Sequence, residues 1–385
     1  MLEDFLQLPD ESIYHAEYNC SQLGAHVIQP QKAYEQLEQV EVALLGVKED
    51  RGSKRNAGSA AAPDDIRAQL FQLMRLEPSL RVADLGNIQP GASLKDTYVA
   101  LRQVCEELLG RQIVPVVIGG SHDLTFAQYH ALASVAESVH LCLIDSSLDF
   151  FDGEDPINDE NFVGRIMVSE PSHLGLLSLI GYQTHLTTPE SLAVLDRLHY
   201  EHYRLGKLRP DISEMEPVLR TAHMVSMDMS AIRVGDSPAN YLASPNGLFG
   251  EEACQLAYYA GQSNALRTFG LYGCNLLYDR NEQSLRLAAQ VLWYLLEGLA
   301  NRKADFPEDG SDDYLKYTVH FSNHAYELVF WKSRRTDRWW MQVPVGKKPF
   351  NSRKFELIAC SYSDYLMAVR EELPDRWLKA HARLS

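Results

Sequence analysis

Val116-Val117-Ile118-Gly119-Gly120-Ser121-His122-Asp123 is an apolar run that turns on two glycines and delivers a histidine to the start of a helix. A run with no polar alternation is the mark of a strand buried on both faces, as in a parallel sheet. The glycines let the backbone turn sharply, and the imidazole is then presented at a strand end, as a metal ligand needs to be. Two further stretches follow the same pattern. Leu143-Ile144-Asp145-Ser146-Ser147-Leu148-Asp149-Phe150 closes an apolar run with two aspartates four residues apart. Val225-Ser226-Met227-Asp228-Met229-Ser230 again ends a run on aspartate. A carboxylate at the end of a buried strand is costly unless it is paired or bound to a metal.

Outward from these runs, strands are predicted at Gln39–Val47, Arg81–Ile88, Val114–Ile118, Val139–Ile144, Gly175–Gly181, His223–Met227 and Leu266–Gly273. Helical spacing predicts helices at Pro63–Leu73, Leu94–Leu109, Asp123–Val135, Pro189–Leu198, Glu251–Gln262 and Glu282–Leu299. Pro63 suits a first helical turn, and Asp64 and Asp65 lie near the positive end of that helix dipole. Apolar strands alternating with helices predict an α/β fold, a three-layer αβα arrangement around a mostly parallel sheet. In such sheets ligands lie outside the carboxyl ends of the strands.

The pattern changes after Lys303–Asp313, a polar, acidic stretch that reads as a linker. Tyr317–Phe321, Tyr326–Trp331 and Trp339–Val345 then read as antiparallel strands, and Ser363–Leu373 as a helix capped by Ser363. Pro374 ends or kinks that helix, and a short helical segment follows it. The predicted organisation is a main domain over residues 1–302, a linker over 303–313 and a small C-terminal α+β appendage over 314–385. Trp339 and Trp340 sit among Lys332, Arg334, Arg335 and Arg338, a composition typical of partner hot spots. The plainer reading, which we favour, has these tryptophans alternate between a small core and the main domain.

Bulk composition narrows the classes. The 385 residues carry 45% hydrophobic and 23% charged side chains, ordinary for a globular protein, with a net charge of -16. That balance argues against nucleic-acid partners and anionic membrane surfaces. Six cysteines without CxxC spacing suggest reduced thiols rather than a disulfide framework. The first residues lack a signal-peptide pattern, and no apolar run approaches the roughly 20 residues that span a bilayer. A cytoplasmic location is the expectation. No GxGxxG or GxxxxGK[ST] loop supports phosphate cradling.

One histidine and three aspartates, His122, Asp145, Asp149 and Asp228, form a hard, oxygen-rich donor set suited to Mn²⁺, Mg²⁺ or Fe²⁺, with Zn²⁺ admissible. Each motif alone has a bland reading. A lone histidine after Gly-Gly is more often a helix-start residue, and a strand-end aspartate is more often a cap. Three such ends in sequence outweigh those readings. His140, His185 and His223 flank the motifs and read as structural. Asp123 is accounted for by the helix dipole. Cys142 alternates to the face opposite Asp145 and reads as core packing.

The order of these strand ends resembles the ureohydrolase family of arginase, agmatinase and formimidoylglutamase. Its members carry GGDHS or GGGHE, then DAHxD, then SxDxD. The resemblance spans residues 38–300. Gly46–Arg67 is similar to the family's first loop and following helix, Ser244–Glu252 to the segment after the third motif, and Asn275 to the EVNP segment. It implies an arginase-like fold and a site for two Mn²⁺ ions that share a hydroxide. By this resemblance His122, Asp145, Asp149 and Asp228 serve one metal, with Asp145 and Asp228 bridging to the other. Ser147 stands where the family has His, and Ser230 where it has Asp. Val163 replaces the histidine thought to carry a proton, in the segment holding Asn161, and Gly273 replaces the EVNP glutamate. Asn161 and Gly273 are thus the expected substrate-pocket positions.

The expectation is at most one divalent metal, Mn²⁺ preferred, with an empty site also compatible. Losing one metal and a proton carrier raises a barrier by several kcal/mol, at about 1.36 kcal/mol per decade of rate. Two functions follow. One is a catalytically impaired or inactive homologue with a binding or scaffolding role, which would take a small amidine or amino-acid ligand or a protein partner on its appendage. The other is a single-metal hydrolase of linear amidine C–N bonds, of formimidoylglutamase type. The resemblance also implies a homo-oligomer.

Overall fold

The structure is a computed structural model that describes residues 2–15, 17–150, 155–308, 311–321, 327–346 and 354–385. Asp309 and Gly310 of the predicted linker, and Tyr326 at the start of one predicted strand, lie outside the described residues. Nine strands form the main sheet: β1 (Leu6–Gln7), β2 (Val42–Val47), β3 (Val82–Ile88), β4 (Val114–Gly119), β5 (Val139–Ile144), β6 (Leu174–Tyr182), β7 (Glu201–Arg204), β8 (Met224–Asp228) and β9 (Thr268–Tyr272). Their order is β1-β3-β2-β4-β9-β8-β5-β6-β7, antiparallel at β1–β3 and parallel elsewhere. The three-layer α/β prediction holds. All three motif-bearing strands, β4, β5 and β8, lie in the centre with β9 among them.

The apolar runs became central strands because both of their faces are covered. Leu44, Val116, Ile118, Cys142, Ile144 and Val225 point into one core, beneath the helices Ala62–Gln72, Gly250–Gly261 and Gln283–Ala300. Leu45, Val117, Leu141 and Leu143 point into the other, beneath Leu94–Gly110 and Leu124–Ala133. Cys142 is packed as the alternation predicts. No helix among the described residues is long and apolar enough to cross a membrane.

One buried polar knot ties β2, β3 and the first of these helices. Arg67 is wholly buried. Its guanidinium reaches Asp84 at 2.9 Å, Asp64 at 3.1 Å, Asn87 at 2.7 Å and the Gly86 carbonyl at 2.6 Å. Asp64, read from sequence as a dipole residue, is therefore a partner in this knot, which also holds Lys48. A wholly buried charge persists only when paired and hydrogen-bonded in this way.

A second, four-stranded antiparallel sheet follows: β10 (Tyr314–His320), β11 (Glu327–Ser333), β12 (Trp339–Pro344) and β13 (Phe355–Cys360). Two helices, Tyr362–Val369 and Asp375–Leu384, complete it. The predicted cap is corrected here. Ser361, not Ser363, accepts from the Asp364 N–H while Asp364 accepts from the Ser361 N–H, so the helix starts earlier and ends at Val369.

Trp339 lies in the small core of this unit with Phe330, Met341 and Trp377, and Trp340 on the opposite face with Trp331. The Trp340 ring covers the Arg220 guanidinium at 4.5 Å, so the pair does alternate between the two units. Arg338 pairs with Glu216 at 3.0 Å and Arg383 with Glu201 at 3.3 Å. Glu216 and Arg220 lie on the helix Glu216–Thr221 that leads into β8, and Glu201 opens β7. These contacts set the appended unit against the amino ends of the strands, away from the ends that carry His122 and the aspartates.

The helices Gly250–Gly261 and Gln283–Ala300 cross at Gly261 and Gly298. A Cβ on Gly261 would lie 2.2 Å from the Leu295 carbonyl oxygen, and one on Gly298 would lie 2.4 Å from that of Tyr258. Alanine gains about 1 kcal/mol of helix propensity over glycine, but overpacking against backbone costs about 1–3 kcal/mol. Gly298→Ala is therefore expected to lower the urea midpoint of unfolding at unchanged m-value. A raised midpoint would show that the crossing is looser than described.

Candidate metal centre

The site is built where β4, β5, β8 and β9 end side by side. Gly119 and Gly120 are required by close approach: a Cβ on Gly119 would meet the Tyr272 ring at 2.2 Å, and one on Gly120 the Glu49 carbonyl oxygen at 2.0 Å. The chain after them places His122 in a buried position just before the helix Leu124–Ala133. Phe162 meets the imidazole edge-on at 4.8 Å between ring centres, and Tyr272 tilts against it at 5.5 Å.

The two imidazole nitrogens have different surroundings. Nε2 lies 2.9 Å from the Ser226 hydroxyl, which itself contacts Thr125 Oγ1 at 2.6 Å. Nδ1 is buried and has no well-directed hydrogen bond. It faces Asp145 Oδ2 at 3.0 Å, Asp149 Oδ2 at 3.3 Å and Asp228 Oδ2 at 3.8 Å. Ligand atoms of His122, Asp145 and Asp149 all lie within 4.8 Å of one another, with Asp228 beside them. The structure thus brings the four predicted residues together. Ser226 was not singled out from sequence, although it lies two residues before Asp228 on one strand and so shares its face.

The outer carboxylate oxygens are occupied by neutral donors. Asp145 Oδ1 lies 3.2 Å from the Ser147 N–H, 3.3 Å from the Ser230 hydroxyl and 3.4 Å from the Ser146 hydroxyl. Asp228 Oδ1 accepts from the Ser230 N–H at 2.7 Å and from the Asn240 amide at 3.2 Å. Where the resemblance places a second metal, this chain has hydroxyls and amides.

Burial dominates the electrostatics. It pushes the Asp228 carboxyl up to about 6, with the Asp145 charge adding to it and His122 opposing. Burial, then the charge of Asp145, raises Asp149 well above the usual carboxylate range. Burial would lower His122, but the nearby carboxylates of Asp145, Asp149 and Asp228 outweigh it and hold the imidazole well above its ordinary value. Three crowded carboxylates around one unbonded ring nitrogen form a donor set that fits a divalent cation. Ser226 orients the imidazole, as partners of metal-bound histidines do.

The other predicted positions separate. Val163 is wholly buried in the core beneath the site, and its N–H donates to the Asp149 carbonyl. Asn161 engages both ends of its amide within its own loop, with the Asn158 N–H and the Pro156 carbonyl. Gly273 has φ +78°, and a Cβ there would lie 2.5 Å from Asp228 Oδ2. His140 and His223 lie at the amino ends of β5 and β8, bonded to Ser178 and to the His140 N–H. His185 is exposed in a turn after β6. The dipole account of Asp123 is corrected. Its carboxylate makes no cap bond but accepts the Tyr98 hydroxyl, and burial pushes it up to about 6.

Comparison with known proteins identifies the family and the fold. The arginase family profile matches residues 40–297. A formimidoylglutamase of Salmonella schwarzengrund is 34% identical over 117 residues, which are 29% of this chain and 37% of that protein's length. One from Streptococcus gordonii is 23% identical over 329 residues, covering 77% of this chain and 98% of the relative. Among solved structures, Trypanosoma cruzi formiminoglutamase with Mn²⁺ superposes with a TM-score of 0.63 at 22% identity, covering 69% of this chain and 95% of that one. Formimidoylglutamase from Bacillus subtilis gives 0.61 at 20% identity, covering 74% and 91%.

Two outcomes follow from the geometry. Ser226→Ala is expected to weaken Mn²⁺ binding by about 10-fold or more, through loss of the imidazole's orienting partner. Unchanged affinity by competition with a fluorescent chelator would exclude that role. Because Asp228 is raised to about 6, and Asp149 and His122 well above their ordinary values, protons compete with a cation for these groups and affinity rises with pH. Calorimetry in buffers of different ionisation enthalpy should register proton release on binding; a pH-independent affinity would contradict the arrangement.

Proposed function

The chain belongs to the arginase family, and from that premise we propose that it is a single-cation hydrolase of linear amidine C–N bonds, similar in substrate class to the formimidoylglutamases it resembles. The observation that carries this reading is the asymmetry of the aspartates: the Oδ2 atoms of Asp145 and Asp228 face the unbonded His122 nitrogen, while their Oδ1 atoms are held by neutral donors. His122, Asp145, Asp149 and Asp228 would hold the cation, with Mn²⁺ the metal best matched to one nitrogen and several carboxylates. A divalent cation there supplies Lewis acidity toward water and an amidine.

The chain's own residues set the limits on rate. Asp145 and Asp228 fix the charge at the floor of the site. Phe162 and Tyr272 pack against the imidazole ring. Val163 offers no proton carrier to a departing amine, so the proton that the amine takes up would have to come from solvent. General acid–base help contributes about 10²–10⁴ in rate where it is present. Turnover is accordingly expected to be slow. A second reading, binding without turnover, is favoured by the burial of Val163 in the core. The described part of the appended unit contacts the amino ends of the strands and does not cover the site.

The test is metal content together with ammonia release from N-formimidoyl-L-glutamate, after loading with Mn²⁺ and desalting. One Mn²⁺ per chain, lost in Asp228→Ala along with slow turnover, supports the hydrolase. One Mn²⁺ without turnover supports binding alone. Ser147→His combined with Ser230→Asp is expected to bring the count to two and to raise any turnover by at least 10-fold. A wild type that already holds two ions would contradict the single-cation assignment.

A further inference from the structure

We infer that Asn240 is a positioning residue for the cation seat, holding Asp228 where a second cation would otherwise hold it; this rests on the single-cation reading above. Asn240 is buried, 5% exposed. Its amide nitrogen donates to Asp228 Oδ1 at 3.2 Å and to the Gly273 carbonyl at 2.9 Å. Its amide oxygen accepts from the Leu242 N–H at 2.8 Å, which sets the amide the right way round. The donor that faces Asp228 is therefore fixed by two backbone groups.

With the Ser230 N–H at 2.7 Å, Asp228 Oδ1 has two donors and is left little freedom to turn. That leaves Oδ2 toward His122 as the oxygen available to a cation. Gly273 makes the device possible. A Cβ at that position would lie 2.5 Å from Asp228 Oδ2 and 2.9 Å from Asn240 Nδ2, and its φ of +78° suits glycine. The Gly273 carbonyl is gripped a second time by Asn56 Nδ2 at 2.9 Å, and Asn56 Oδ1 accepts from the Tyr241 N–H at 3.0 Å. Asn240 and Asn56 thus clamp one glycine carbonyl from two loops, and one of them reaches on to the metal-facing carboxylate. A side chain at position 273 is incompatible with this clamp, so the absence of the family's glutamate and the presence of Asn240 belong to one arrangement.

A neutral amide is a weaker partner than a cation, but it needs no loading and does not dissociate. Hydrogen-bonded partners of metal ligands are worth about 10–100-fold in metal affinity. Asn240→Ala should therefore bind Mn²⁺ at least about 10-fold more weakly than wild type, at an unchanged ceiling of one ion per chain. Its Mn²⁺ paramagnetic resonance spectrum should change, which a merely structural role far from the ion would not cause. Metal-free melting temperature serves as the folding control. A check that needs no variant is a crystal structure of the Mn²⁺-loaded wild type. Asp228 should bind through Oδ2 alone, with Oδ1 still hydrogen-bonded to Asn240. Equal affinity and an unchanged spectrum in Asn240→Ala, or Asp228 binding through both oxygens, would overturn the clamp and leave the single-cation reading standing. A wild type that takes up no Mn²⁺ would overturn both.

Discussion

Three carboxylates forced toward one imidazole nitrogen at the ends of a buried sheet are the constraint on which the rest of the structure turns. Like charges in a low-dielectric interior repel, and burial alone penalises each of them. The fold answers in two ways. On the outer side, hydroxyls and amides from Ser146, Ser147, Ser230 and Asn240 take up Oδ1 of Asp145 and Asp228. On the inner side, the Oδ2 atoms converge on His122, whose other nitrogen is held by Ser226. Neutral hydrogen bonds satisfy lone pairs but do not cancel charge, so the inner side is left with a demand that a divalent cation or protons would meet.

The parts legible in the sequence were those fixed by local pattern. Apolar runs long enough to be buried on both faces announced β2, β3, β4, β5, β6, β8 and β9, and the strand-end motifs placed His122, Asp145, Asp149 and Asp228. Elements without such a pattern were missed. Glu201–Arg204 is polar and joins only the sheet edge, and Leu6–Gln7 is two residues long. Phe355–Cys360 is half-exposed along much of its length, so its apolar signal is weak. Ser361 and Ser363 both suit a cap, and only the reciprocal bond with Asp364 separates them.

What sequence could not supply was long-range pairing. Ser226 touches His122 across 104 positions, and Arg67 meets Asp84 and Asn87 from a different element. Asp64 and Asp123 both fit a helix dipole from local sequence, but their partners, Asn87 for one and Tyr98 for the other, come from elsewhere in the fold. Asn240 lies in a loop of ordinary composition. Its importance arises from Gly273, a residue that reads from sequence only as a loss.

The exchange of a metal seat for hydroxyls and amides also alters the field a visitor to the site would feel. Three carboxylates with a single divalent cation keep a net negative charge. In a low-dielectric interior such a charge is screened less than in water. The amidinium end of a ligand would be drawn toward such a centre, and any carboxylates it carries would be held at a distance from it. On the single-cation reading, the field at this centre would be set by two serines and an asparagine that carry no charge.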